Sequence, residues 1–158
     1  MKPEITQHQI EAIQKIWGDS VVDVGKVYYE GGDYKSEARK LVDELYGYDE
    51  GTVLFKPTKA SEKQFRLTAE SAVSYFVGGN ENYPEDDGFA LTPWKDVRFE
   101  NSGFILKEDH AVAMGNYFFT NMEDKVIKVE YTFGYYHSRE GFLRINIHHS
   151  SLPFKRKQ

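Results

Sequence analysis

The stretch from Phe142 to Pro153 reads FLRINIHHSSLP, and the way its side chains alternate decides where a sheet built from this chain could open a pocket. Successive residues of a strand point to opposite faces. Leu143, Ile145, Ile147, His149 and Ser151 then share one face, while Phe142, Arg144, Asn146, His148 and Ser150 share the other. The first set is apolar for three steps and then turns polar. A buried wall that ends in an imidazole and a hydroxyl has the pattern of a pocket's floor and mouth. This assignment makes His149 and Ser151 the pocket residues and sends His148 and Ser150 to the opposite side, toward packing or subunit contact.

Working back from this stretch, the period stays near two as far as Trp94. Trp94 to Glu100, Phe104 to Lys107, Ala111 to Thr120 and Val126 to Tyr136 read as strands, with turn clusters at Asn101 to Gly103, Glu108 to Asp109, Asn121 to Asp124 and Ser138 to Gly141. Connections this short make antiparallel neighbours. In the longest strand Ile127, Val129, Tyr131, Phe133 and Tyr135 lie on one side and Val126, Lys128, Glu130 and Thr132 on the other, so one face of the meander is buried and the other largely wet.

Before Trp94 the period is helical. Thr6 with Gln9 fits a capping box, and Ile10, Ile13, Trp17, Val21, Val24 and Tyr28 form one apolar stripe, predicting a helix from about Thr6 to Tyr29. Gly31 and Gly32 stop it, and Asp33 caps a second helix that buries Ala38, Leu41, Val42 and Leu45. TVLFKPT, from Thr52 to Thr58, is a short strand closed by Pro57 and so belongs at a sheet edge. Thr68 caps a third helix that buries Ala69, Ala72, Val73, Phe76 and Val77 and ends at Gly78 and Gly79, with Tyr75 off the centre of its stripe. Helices followed by a long antiparallel meander make an α+β domain, the helices laid on one face of a curved sheet, with a conical cavity between the layers. With no internal repeat and no linker, residues 1–158 read as one domain.

Composition narrows the function classes. The 158 residues contain no cysteine, which excludes disulfides, thiolate metal sites and cysteine nucleophiles. A net charge of −5 argues against nucleic-acid binding by phosphate neutralisation. No apolar run approaches a membrane span, and MKPEITQHQIEAIQ carries no signal core, so the expectation is a cytoplasmic protein without a membrane partner. The polar loop NENYPEDDG, Asn80 to Gly88, does not have the spacing of a calcium-binding loop; it reads as solvated, with a lid over a nearby pocket as its functional alternative.

Five histidines are present, at positions 8, 110, 137, 148 and 149. A catalytic zinc needs three protein ligands converging on one ion. Here two of the five are adjacent on a strand and point apart, and the others sit on a helix surface or beside turns. Ser151 and His149 could hydrogen-bond, but no glycine-flanked nucleophile elbow surrounds either serine of the stretch. Gly31-Gly32 and Gly78-Gly79 follow helices and act as stops rather than as phosphate cradles. Four groups remain as candidates: Thr58, Tyr75, His149 and Ser151, neutral donors and acceptors suited to a small polar or anionic ligand.

Several motifs in order carry a family resemblance over nearly the whole chain: VLFKPT at 53 to 58, SYFVGG at 74 to 79, DGFAL-PW at 87 to 94, AMGNYFFT at 113 to 120, EYTFGY at 130 to 135 and HHSSLP at 148 to 153. The chain resembles the iota-class carbonic anhydrases, whose domain is like the association domain of calcium/calmodulin-dependent kinase II within the group similar to nuclear transport factor 2. The resemblance implies reversible hydration of carbon dioxide to bicarbonate in a conical α+β domain that usually forms a homodimer; similar proteins work without a metal or with manganese or zinc, and the histidine geometry of this chain favours the metal-free form with no cofactor. Carried over by motif, the site residues it implies are Thr58, Tyr75, His149 and Ser151. Thr58, Tyr75 and Ser151 would hold the water and the forming bicarbonate, and His149 would accept or relay the proton. Two rivals stand beside this reading. One is a non-enzymatic association or ligand-binding module of the same fold. The other is a cyclase or dehydratase, which would need an inward carboxylate or histidine deep in the cone.

Overall fold

The computed structural model describes residues 3–157. Its elements run α1 (Gln7–Tyr29), α2 (Tyr34–Leu45), β1 (Leu54–Lys56), α3 (Ala69–Val77), a 3₁₀ turn (Phe89–Leu91), β2 (Trp94–Leu106), β3 (His110–Asn121), β4 (Val126–His137) and β5 (Leu143–Ser151). The five strands form one sheet in the order β1-β5-β4-β3-β2. β2 to β5 are an antiparallel meander, and the short β1 adds in parallel at the edge beside β5. The architecture is α+β, with the three helices covering one face of the sheet.

Each helix begins where its cap dictates. Thr6 and Gln9 make a reciprocal capping box on α1, Asp33 accepts from the Ser36 amide of α2, and Thr68 and Ser71 box the start of α3. The α1 stripe Ile10, Ile13, Trp17, Val21 and Val24 is buried, and the stripe runs out at Tyr28, which is exposed. α3 stops at Gly78, whose φ of +65° and whose approach to the Asp86 carbonyl both leave no room for a side chain.

Three expectations need correction, and the first two fail at bulges. First, residues 94–100 and 104–107 are not separate strands. They belong to the continuous β2, which absorbs Asn101 to Gly103 as a register shift against β3. Second, β5 does not keep one parity. Gly134 pairs with Ile147 and Tyr135 with Ile145, leaving Asn146 as an extra residue. One inserted residue turns every later side chain to the other face. Leu143 and Ile145 face the core as expected, but beyond the bulge the core residues are His148 and Ser150, exposed by only 2% and 1%. Ile147, His149 and Ser151 lie on the outer face. Gly134 permits this geometry: a Cβ there would come within 2.8 Å of the Ile147 Cβ.

The acidic loop is also not a simple solvated segment. Glu85 accepts from the backbone amides of Ser61, Glu62 and Lys63. Asp86 forms a two-pronged pair with the fully buried Arg66 at 2.7 and 2.8 Å and accepts from the Ser74 hydroxyl. The loop is a strap that joins α3 to the segment after β1. Breaking a buried pair from one side leaves an uncompensated charge, typically costing ~3 to 5 kcal/mol. Asp86→Asn should therefore lower unfolding free energy in urea by ~3 kcal/mol, and the double change with Arg66→Met should lose less than the sum of its singles.

Candidate active site

The inner surface of the cone is a stack of rings centred on His148. Phe133 stacks on its imidazole at 4.0 Å and Phe55 at 4.7 Å on interplanar angles of 20° and 9°, and the Trp17 ring meets it edge-on at 5.6 Å. These rings come from β4, β1 and α1, so three elements pack on one imidazole. Their aromatic contacts supply apolar area and fix the ring's orientation.

A chain of hydrogen bonds runs through this stack. The Trp17 indole N–H donates to the Tyr46 hydroxyl at 2.9 Å, and Tyr46 lies 2.8 Å from His148 Nδ1. On the other side of the imidazole, Nε2 is 3.1 Å from the Tyr117 hydroxyl, which lies 2.5 Å from Ser150 Oγ. Ser150 Oγ is 2.7 Å from Thr58 Oγ1. Tyr75 joins from α3, its hydroxyl accepting from the Lys59 amide at 3.3 Å. Thr58, Tyr75, Tyr117, His148 and Ser150 line a cavity of about 10 Å³, closed by Trp17, Phe55, Pro57, Phe76 and Phe89. That is about the free volume that one water requires. Tyr75 and Phe89, stacked at 5.5 Å, also border an outer vestibule of about 120 Å³ that includes Lys59 and Thr92.

The structure thus brings together two of the four residues expected from sequence, Thr58 and Tyr75. The other two are elsewhere. His149 is exposed on the outer face, opposite Thr132, and Ser151 donates to Glu130 on that same face. Both border an open groove of about 400 Å³ on the far side of the sheet from the cavity. Their places inside are taken by His148 and Ser150, because of the bulge at Asn146. Tyr117 was missed altogether; its position among the inward residues of β3, in AMGNYFFT, was the available signal.

The electrostatics are those of a neutral site. Burial pushes the Tyr75 and Tyr117 phenols well above their ordinary value, so both remain protonated donors. Burial, aided by the neighbouring charge of His149, holds the His148 imidazole well below its ordinary 6.5. Among the described residues no three or more His, Asp or Glu side chains are grouped as metal ligands, and no helix is long and apolar enough to cross a membrane.

Helices laid on one face of an antiparallel meander make the nuclear transport factor 2-like fold, as in a putative dehydratase of the NTF2-like family from Streptomyces avermitilis, with a TM-score of 0.57 at 10% identity over 94% of this chain and 96% of its own. A putative calcium/calmodulin-dependent protein kinase II association domain from Xanthomonas campestris shares that fold, with a TM-score of 0.62 at 24% identity over 93% of this chain and 87% of its own. The family described as metal-independent carbonic anhydrase matches residues 8–152. A metal-independent carbonic anhydrase from Nostoc sp. is 40% identical over 154 residues, covering 96% of this chain and 75% of the relative. The crystal structure of a cyanobacterial iota-carbonic anhydrase complexed with bicarbonate superposes with a TM-score of 0.94 at 38% identity, covering 99% of this chain and 97% of that one. The chain belongs to the metal-independent carbonic anhydrase family.

A histidine held neutral by its fold makes stability depend on pH. Below the unfolded value of 6.5 the unfolded chain takes up a proton that the native His148 refuses, so stability is full above that value and falls as pH drops below it. One such proton gives a slope approaching ~1.4 kcal/mol per pH unit. Urea unfolding followed from about pH 7 down to about pH 5 should show this loss, and His148→Gln should flatten it. Carboxylates act in a lower window: Glu85, pulled down to about 2 by the Ser61, Lys63 and Glu62 amides, contributes its dependence only below its ordinary 4.5.

Proposed function

We propose that this chain hydrates carbon dioxide reversibly to bicarbonate inside the cone, without a metal, at a site made of Thr58, Tyr75, Tyr117, His148 and Ser150. The observation that carries this is the convergence of Thr58, Tyr75 and Ser150 on one buried, water-sized cavity walled by rings. Family membership and the bicarbonate-bound relative give the chemistry its class.

Apolar walls accept carbon dioxide, and the hydroxyls hold water beside it. Filling so small a space with a triatomic molecule requires the Tyr75–Phe89 stack at its outer edge to give. No group in the cavity is a standing base, because the phenols are held protonated and the His148 nitrogens are already bonded. The step therefore proceeds with a hydroxyl acting as acceptor and donor together. The water oxygen bonds to carbon, and one of its protons passes to Thr58 Oγ1 as the Thr58 hydrogen moves to a carbon dioxide oxygen. The product is carbonic acid, which loses its proton to water and leaves as bicarbonate. Tyr75 donates to the oxygen on which charge develops. Orientation of the two reactants supplies much of the acceleration.

His149 and Ser151 take no part in this scheme, since they lie across the sheet. We further propose that the outer face, where Ile105 and Met114 are exposed, receives a second copy of the chain in a homodimer; sedimentation measures that state.

Stopped-flow measurement of carbon dioxide hydration on chelator-stripped protein tests the function. Activity should persist after stripping, and a complete loss restored by zinc or manganese would overturn the metal-free reading. Thr58→Val and Ser150→Ala should each lower kcat by roughly 10²-fold, the scale of one positioned proton-transfer group. His149→Ala and Ser151→Ala should leave it within about twofold of the parent, well below that scale.

A further inference from the structure

We infer that Trp17, whose ring walls the cavity while its N–H turns to Tyr46, and Tyr46, which does not line the cavity, are positioning residues that set the direction of the whole hydrogen-bond chain and thereby present a hydroxyl hydrogen, rather than lone pairs alone, to the substrate. This deepens the proposed function and rests on it. Trp17 is the one member of the chain whose role cannot reverse, because an indole N–H only donates. It therefore gives its hydrogen to the Tyr46 oxygen, at 2.9 Å.

Tyr46 is fully buried, and the remaining partner of its hydroxyl is His148 Nδ1. Its own hydrogen must go there, because no other acceptor is within reach. Nδ1 is then an acceptor, and a neutral imidazole with an accepting Nδ1 carries its hydrogen on Nε2. Nε2–H donates to the Tyr117 oxygen, and the Tyr117 hydrogen goes to Ser150 Oγ. Ser150 and Thr58 share one bond between two hydroxyls, which leaves one hydrogen of the pair for the cavity. Tyr75, whose oxygen accepts from the Lys59 amide, keeps its own hydrogen for the same space.

The opposite tautomer fails on both counts. With the hydrogen on Nδ1, Tyr46 would receive two donors, and its own buried hydrogen would have no acceptor. Nε2 would then take the Tyr117 hydrogen, Tyr117 would take that of Ser150, and Ser150 that of Thr58. The Thr58–Ser150 pair would face the cavity with lone pairs alone. A site so arranged could not give Thr58's hydrogen to a carbon dioxide oxygen or hold bicarbonate through that pair. The direction of donation at the substrate is thus set by an indole four hydrogen bonds before Ser150.

Nitrogen NMR of protein labelled with ¹⁵N-histidine reads the tautomer, with His148 assigned from His148→Gln. At pH above the ordinary imidazole range the resting enzyme should show a pyrrole-type Nε2 and a pyridine-type Nδ1. Tyr46→Phe keeps the ring and removes the hydroxyl. It should shift His148 toward a tautomer mixture and lower kcat roughly tenfold, the worth of about one hydrogen bond, with KM changed much less. A pyrrole-type Nδ1 in the resting enzyme would overturn the inference, as would a Tyr46→Phe enzyme with unchanged tautomer and kcat. The tautomer is read without substrate, so it decides the direction of the chain independently of turnover. Loss of activity in Thr58→Val and Ser150→Ala beside an unaltered Tyr46→Phe enzyme would overturn the role of Tyr46 and leave the site itself standing.

Discussion

A fully enclosed imidazole with both nitrogens bonded constrains its surroundings more than any other side chain in this protein. An unpaired polar atom at such depth is costly, so each nitrogen needs a partner placed within a few tenths of an ångström. For His148 those partners are Tyr46, at the C-terminal end of α2, and Tyr117, on β3. The faces of the ring need partners as well, and β1 and β4 supply Phe55 and Phe133. The helical layer, the parallel edge strand and the meander therefore meet at one residue of β5. Removing any of the four would expose the ring or leave a nitrogen unpaired.

The position of that imidazole depends on Asn146, and this is where the sequence was hardest to read. Alternation from Leu143 onward correctly placed Leu143 and Ile145 on the core side. The same alternation, continued without interruption, then chose His149 and Ser151 over His148 and Ser150. Periodicity carries no mark for an inserted residue. Two indirect signs were present: a glycine inside β4 at Gly134, and a polar asparagine between the two isoleucines of β5. A strand can hold either residue without a bulge, and only the pairing of Gly134 with Ile147 and Tyr135 with Ile145 joins them. The caps at Thr6, Asp33 and Thr68 were legible because capping is local, and the meander because its turns are short. Thr58 was found for a similar reason, lying just past a proline that ends β1. Tyr117 escaped notice because one tyrosine in a run of inward aromatics cannot be told from its neighbours until a hydrogen-bond partner is seen.

Arg66 and the acidic loop show a related limit. A segment with four carboxylates in nine residues looks solvated by composition. Its structural content comes from partners far along the chain: a guanidinium twenty residues before Asp86, and three amides more than twenty residues before Glu85. The loop in turn fixes the segment after β1, from which Thr58 and the Lys59 amide enter the site. The strap holds one side of the cavity in place, and the bulge holds the other.

The neutrality of the site then follows from its depth. Zinc enzymes of the same reaction class lower the pKa of a bound water from ~15.7 to ~7 and keep a hydroxide ready. A cavity enclosed by rings does the reverse to any ionisable group, as the upward push on Tyr75 and Tyr117 and the downward push on His148 both show. A hydroxide would meet the same penalty there. Chemistry in such a place must avoid separated charge until product forms, and moving a proton through a hydroxyl while the carbon–oxygen bond forms satisfies that condition. In the proposed mechanism aromatic burial and concerted proton movement are thus two sides of one design: the rings that fix His148 would also admit carbon dioxide and penalise separated charge.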